Sequence, residues 1–287
     1  MTLGQVARQV TPPIFVQLAK RLRTGRKPMV QWEYIPGGWA YAETHPEVRG
    51  WNVQNVLETY KGKWPQFVRM VEGTGSLGVA HESDLSTSED ILSHNTMMAF
   101  GYALALAARN KKRISMLDWG GGIGHYFMLA QTLLPEVDIE YSCKDVPVLS
   151  DYGAQLLPEQ HFYSDDRCLE RVYDFVLASG SMHFSEEWRT LLQRLAGATS
   201  DYLYIAHLPT VLESPSFVFV QRPYQYGYNT EYLGWCLNRT EFLHSAASAG
   251  LHLLREFVYG HQPLIHGAPE QNAYRGYLFR ACPEGRT

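Results

Sequence analysis

The segment Arg113-Ile-Ser-Met-Leu-Asp-Trp-Gly-Gly-Gly-Ile-Gly-His-Tyr-Phe127 decides the fold of this 287-residue chain. Its apolar run from Ile114 to Leu117 predicts a buried strand, Asp118 ends that strand, and a glycine loop leads into a helix. Glycine permits the sharp turn and lets a ligand approach the main chain. The first turn of the helix offers unpaired N–H groups to an anion. Strand, glycine turn and helix form the first half of a βαβ nucleotide site.

The glycine spacing argues against a nicotinamide dinucleotide. A G-x-G-x-x-G pattern starting at Gly120 would need glycine where the chain has His125. The chain reads Asp118-x-Gly120-x-Gly122-x-Gly124, which resembles motif I of the class I S-adenosylmethionine (SAM)-dependent methyltransferases. In those enzymes the loop packs against the methionyl and ribose parts of SAM. The resemblance implies that the aspartate and the three glycines bind this cofactor.

Three downstream positions extend the predicted cofactor site. Asp145 follows the predicted strand 137–143 about twenty residues beyond the loop, where a carboxylate can accept bonds from two ribose hydroxyls. Its alternative role is to cap the helix predicted over 148–157. The resemblance implies that Asp165, at the end of strand 161–163, meets the adenine amino group, and its alternative is a turn aspartate. Ser179 ends another strand at the same sheet edge.

The order of the remaining segments predicts the fold class. Strands are predicted over 172–179, 202–206, 251–258 and 274–282, and helices over 91–109, 186–198 and 241–249. The last two strands form a hairpin-like pair, as in sheets that end with a reversed strand. We therefore predict an α/β protein with a Rossmann-like seven-stranded class I methyltransferase sheet and a mainly helical, aromatic-rich N-terminal cap.

Two regions are expected. Residues 1–85 are predicted to form the cap and acceptor region, and residues 86–287 the SAM-binding domain, whose first helix opens with a capping box at Ser86 and Glu89. A short helix over 14–26 has a basic end. It is either a peripheral contact with an anionic membrane or an ordinary surface helix.

Two histidines are candidates for a general base. A hydroxyl is a poor nucleophile until its proton is removed, and histidine is the usual base near neutral pH. His207 and His183 follow the fifth and fourth predicted strands, at the edge where ligands bind in open α/β sheets. The alternative for each is a hydrogen-bonded structural histidine.

Residues 213–236 form an insertion that we predict to be an acceptor lid. Aromatic faces stack on sugars or rings, and a guanidinium can hold a carboxylate or phosphate. The candidate acceptor-binding residues are Arg222, Tyr224, Tyr228 and Trp235. The alternative is a homodimer contact, since exposed aromatic residues also mark interfaces. No metal-ligand constellation is present in the sequence.

Composition limits the partners. A net charge of −4 gives no electrostatic reason to expect nucleic-acid binding. The four cysteines are scattered, which favours neither zinc nor disulfides and fits a cytoplasmic setting. No apolar run is expected to span a membrane.

The sequence also resembles a narrower family of methyltransferases found among polysaccharide-biosynthesis genes, through residues 11–13, 78–82, 118–124, 179–181 and 222–235. Both resemblances together imply an O-methyltransferase for a sugar, a glycan precursor or a related hydroxylated small molecule. Two alternatives remain: a catalytically silent partner protein with the methyltransferase fold, and a nicotinamide-dependent sugar oxidoreductase.

Overall fold

The computed structural model describes residues 30–77 and 90–282. The helices of this part are α1 (Gln54–Glu72), α2 (Ile91–Ala108), α3 (His125–Leu133), α4 (Pro147–Leu156), α5 (Trp188–Gly197) and α6 (Arg239–Ser248). The strands are β1 (Trp32–Tyr34), β2 (Arg113–Trp119), β3 (Asp138–Lys144), β4 (His161–Tyr163), β5 (Tyr173–Ser179), β6 (Thr199–Val211), β7 (Phe217–Gln221), β8 (Tyr232–Asn238), β9 (Leu251–Val258) and β10 (Ala273–Ala281).

Seven strands form the predicted methyltransferase-type sheet, in the order β4-β3-β2-β5-β6-β10-β9. The first five are parallel, and β10 runs antiparallel to both β6 and β9. The strands that follow β2 in the chain are placed on both sides of it: β3 and then β4 on one side, and β5 and then β6 on the other. The predicted fold class is therefore confirmed, including the reversed strand near the chain's end.

The central strand β2 is buried on both faces. Met116 packs with Phe100 of α2 and Phe127 of α3, whereas Leu117 packs with Trp188 of α5. Successive side chains of a strand point to opposite faces. A parallel strand covered by helices on both sides therefore has a continuous apolar run, as residues 114–117 do.

The insertion over 213–236 is largely β structure, which the sequence did not indicate. β7 and β8 form an antiparallel hairpin, and β8 joins the main sheet beside Thr210 and Val211 of β6. β1 pairs with β7, with Trp32 opposite Gln221. The N-terminal part of the chain therefore adds an edge strand as well as α1 and a 3-10 helix at Gly38–Thr44.

Three expectations fall on residues outside the described part. The basic helix over 14–26 and the proposed boundary between residues 85 and 86 both lie there, so the two-region division stays a prediction. The Ser86–Glu89 capping box lies there too, and the described N-cap of α2 is Asp90. By length and composition α2 could cross a membrane, whereas the sequence analysis expected no such segment. Half of its residues are buried within the protein, as in a core helix.

Candidate active site

A cavity of about 1070 Å³ opens at the carboxyl ends of the parallel strands. Its walls come from the loops that follow β2, β3 and β5, from His207 within β6, and from α1, α2, α3 and α5. Binding sites for small molecules have volumes of about 300–1,000 Å³. This cavity has room for a nucleoside together with a second molecule.

The glycine loop forms one wall, through Gly120, Gly121 and Gly122. Gly122 has a φ of 63°, and a Cβ placed on it would lie 2.7 Å from Cε1 of Tyr60 on α1. A side chain at this position is therefore excluded by both backbone conformation and space. Gly124 lies outside the cavity wall, as the left-handed N-cap of α3 packed against Leu157. Gly124 forms the turn into α3, and the structure does not place it where the predicted contact with a cofactor would be.

Asp145 joins the loop to the tip of β3. Its Oδ2 accepts a hydrogen bond of 2.7 Å from the Gly122 N–H, and its Oδ1 accepts one of 2.7 Å from the Val146 N–H. The half-buried carboxylate lines the cavity. Burial raises its pKa, and the two main-chain donors oppose that rise. Each carboxylate oxygen keeps a second lone pair, so the group can still accept two hydroxyl donors.

Asp165 is not at the cavity. It caps the 3-10 helix Asp166–Glu170 by accepting from the Arg167 N–H, and its exposed carboxylate forms an ion pair with the Arg167 side chain. The turn interpretation therefore describes its position, and the adjacent Asp166 lines the cavity instead. Ser179 does line the cavity, and its Oγ lies 2.7 Å from the Tyr126 hydroxyl.

Asp118 is fully buried beneath the glycine loop. Tyr141 donates a 2.7 Å hydrogen bond to Oδ2, and Oδ1 has no partner among the described residues. Burial raises the pKa of Asp118 to about 7. The carboxyl lies outside the cavity wall, so the structure places it as a support of the loop rather than at the predicted contact with the cofactor.

This raised pKa predicts a pH-dependent loss of stability. The contribution of the Asp118 carboxyl to the free energy of unfolding is fully present below the ordinary pKa of 3.8, and it is lost as the pH rises through about 7. Relative to Asp118→Asn, we expect the free energy of unfolding of the natural protein to fall by roughly 3 kcal/mol between pH 5 and pH 8. Urea denaturation of both proteins at the two pH values measures this difference. The same change in the free energy of unfolding in both proteins would contradict it.

His207 lies on β6, at the cavity wall, with a φ of 56°. The left-handed region is unusual for a residue other than glycine, and such positions concentrate at functional sites. Its Nε2 is buried and has no partner among the described residues. Burial lowers its pKa to about 3, so the ring is neutral at physiological pH.

His183 also lines the cavity, from a short 3-10 helix at Met182–Phe184. It is buried, and neither ring nitrogen has a partner in the described part of the chain. Burial, and secondarily the nearby His207, lower its pKa to about 3. The structure therefore brings both predicted histidines to one cavity, together with Asp145 and Ser179.

The four predicted acceptor residues do not line the cavity. Arg222 forms ion pairs with Glu33 and Glu231, and the Tyr224 hydroxyl donates to Glu231. Tyr228 is fully buried in an apolar cluster with Tyr60, and Trp235 Nε1 donates to the Glu186 carbonyl. These side chains hold the hairpin to its surroundings, so the predicted acceptor contacts are not supported at these positions.

Several residues outside the predicted set also line the cavity. From the insertion these are Gln221 and Tyr226, and from elsewhere Asp90, Trp51 and His261. No local sequence pattern predicts them, because pairing between distant segments decides which side chains reach the cavity. Within residues 30–77 and 90–282, no group of three or more His, Cys, Asp or Glu side chains is arranged to hold a metal ion.

No protein-family model and no curated protein matches this sequence. Solved structures do match, in 523 chains. The N1-methyltransferase for 1,6-didemethyltoxoflavin from Burkholderia thailandensis is 14% identical, with 78% of this chain and 88% of that chain covered and a TM-score of 0.44. A SAM-dependent methyltransferase from Clostridium acetobutylicum is 9% identical, with 77% and 98% covered and a TM-score of 0.46.

Human N-acetylserotonin methyltransferase, solved with SAM, is 15% identical to this chain, with 93% of this chain and 66% of that chain covered and a TM-score of 0.46. Identities and scores in this range do not transfer an activity from one protein to another. The functional assignment therefore depends on the geometry of the cavity itself.

Proposed function

We propose that this protein is a SAM-dependent methyltransferase that transfers a methyl group to a hydroxyl oxygen of a small molecule. The observation that carries the proposal is the position of the Asp145 carboxylate, which accepts a hydrogen bond from the Gly122 N–H at the wall of the cavity. A carboxylate at the tip of the strand next to a glycine loop is the arrangement that holds a ribose.

The residues around Asp145 and the glycine loop fit the adenosine and methionyl parts of SAM. Asp145 would accept from the two ribose hydroxyls, and the main chain of the glycine loop lines the cavity at Gly120 and Gly122, where the ligand would lie. When bound, SAM supplies an electrophilic methyl group on a positively charged sulfonium, and that charge is lost on transfer. The protein mainly has to align the acceptor and exclude water.

His207 is the proposed base. Its unpartnered Nε2 would take the hydroxyl proton while the oxygen gains the methyl group. The imidazole becomes positively charged as the cofactor becomes neutral, so the net charge inside the buried cavity is unchanged. Protonation of this ring, whose pKa is lowered by burial, is therefore easiest during transfer. His183 is the alternative base.

Several finer features of the proposal come from the sequence. The resemblance to polysaccharide-associated methyltransferases supports a sugar or glycan-precursor acceptor, a cytoplasmic location and a role in glycan synthesis. A homodimer and a peripheral membrane contact are further expectations. The catalytically silent partner protein and the nicotinamide-dependent oxidoreductase remain the competing functions.

Calorimetric titration separates these functions. We expect SAM and S-adenosylhomocysteine to bind and NAD to show no heat of binding, because the chain has His125 where the dinucleotide pattern needs a glycine. Binding of NAD alone would favour the oxidoreductase. Absence of all three would favour the silent partner protein.

We predict that Asp145→Ala weakens S-adenosylhomocysteine binding at least tenfold, because each lost charge-assisted hydrogen bond contributes about 1.5–3 kcal/mol. Asp165→Ala is the matched control, since its carboxylate is exposed and paired with Arg167. Calorimetry on both variants measures the effect, with thermal unfolding as a check of folding. Equal affinities in the two variants would remove Asp145 from the ribose role.

A further inference from the structure

The acceptor side of the cavity is a continuous aromatic arc. The Trp51 ring meets Phe184 at 5.3 Å between centroids, and Phe184 lies 4.0 Å from His183. His183 and Trp32 each meet Tyr274 at 6.4 Å. All five rings line the cavity. Because they come from four separate parts of the chain, the arc is a property of the folded site.

The polar side chains that belong to or adjoin these five rings, His183 and Gln221, are uncharged, and the carboxylate of Asp90 also lines the cavity. Both ring nitrogens of His183 are buried and have no hydrogen-bond partner among the described residues. The same is true of the side-chain Nε2 of the buried Gln221. A neutral imidazole has one donor and one acceptor, and the amide nitrogen is a donor. Buried polar groups of this kind are normally satisfied. A ligand with one or two oxygen atoms on a flat apolar body would satisfy them.

The proposed base also bears on the acceptor. Burial lowers the pKa of His207 to about 3, so this imidazole is a weak base. A phenolic hydroxyl has a pKa of about 10, as in tyrosine. The pKa of an aliphatic or sugar hydroxyl is well above that of a phenol. Proton transfer to His207 is therefore far less uphill from a phenol than from a sugar.

We infer that the acceptor is an uncharged, planar aromatic compound with a ring hydroxyl, stacked in the arc formed by Trp32, Trp51 and Phe184. This inference rests on the proposed methyltransferase function. In the reaction the hydroxyl O–H bond breaks and its proton passes to His207. The oxygen forms a bond to the methyl carbon, and the carbon–sulfur bond breaks with its electron pair left on sulfur. The products are an aryl methyl ether and S-adenosylhomocysteine.

The test uses the full chain saturated with S-adenosylhomocysteine. It is titrated with 2-naphthol and with decahydro-2-naphthol, which has the same skeleton and hydroxyl without the flat aromatic rings. We expect 2-naphthol to bind at least tenfold more tightly. Trp51→Leu and, separately, Phe184→Leu should reduce this preference below threefold. Trp39→Leu is the matched control, because Trp39 lies outside the cavity wall, and it should keep the full preference.

The outcomes separate the two proposals. If S-adenosylhomocysteine does not bind at all, the methyltransferase function and the acceptor class both fail. If it binds but decahydro-2-naphthol binds as tightly as 2-naphthol, or neither binds, only the aromatic acceptor fails. Tighter binding of uridine diphosphate glucose than of 2-naphthol would also overturn it and return the sugar acceptor to first place.

Discussion

Replacing Gly122 with alanine is expected to lower the affinity for S-adenosylhomocysteine about 100-fold. The left-handed backbone at φ 63° costs a residue with a Cβ roughly 1–2 kcal/mol. The added methyl would lie 2.7 Å from the Tyr60 ring, so the loop or α1 must shift. The shift would weaken the bond between the Gly122 N–H and Asp145, which is worth about 1.5–3 kcal/mol. Calorimetric titration measures the loss.

Gly62→Ala is the matched control for this variant. Gly62 lies on α1, two residues from Tyr60, and a Cβ there would meet no atom within 4 Å. Alanine in an exposed helix position is expected to raise stability by up to about 1 kcal/mol without changing affinity. If Gly122→Ala folds and binds S-adenosylhomocysteine like the natural protein, the loop does not hold the cofactor.

His207→Asn is expected to reduce kcat by about 10²–10⁴-fold, the usual contribution of a general base. Asparagine is chosen because it tolerates the left-handed conformation that His207 adopts, so the strand end should keep its shape. The affinity for S-adenosylhomocysteine should change less than twofold. Turnover is followed as transfer of labelled methyl from SAM to 2-naphthol.

The control for loss of a histidine is His252→Asn, at an exposed position on β9. It should retain full turnover. If His207→Asn also retains full turnover, the base role passes to His183, and the double variant then tests that alternative. Loss of both turnover and cofactor affinity in His207→Asn would indicate a structural role.

The main sheet could be predicted because its signals are local. The run from Ile114 to Leu117 is apolar since both faces of β2 are covered, and the predicted strand at 251–258 has the bounds of β9. The chain also places Asp145 at a strand tip by spacing alone. β1, β7 and β8 were not predicted because they are stabilised by pairing across distant parts of the sequence.

The site was predictable in part for the same reason. Strand ends on a parallel sheet meet at one edge, so Asp145, His183 and His207 could be expected together. Side-chain direction at a turn is not encoded by spacing, and Asp166 rather than Asp165 faces the cavity. Arg222 had the chemistry of an anion ligand, but two glutamates from separate segments neutralise it.

The pairing of β1 with β7 has a consequence for synthesis of the protein. Trp32 leaves the ribosome long before its partner Gln221 is made. Until then the nascent polypeptide carries an unpaired edge strand and an indole that has no neighbouring hairpin. Such non-local contacts slow folding, so a chaperone that shields this tryptophan during translation should raise the yield of native protein.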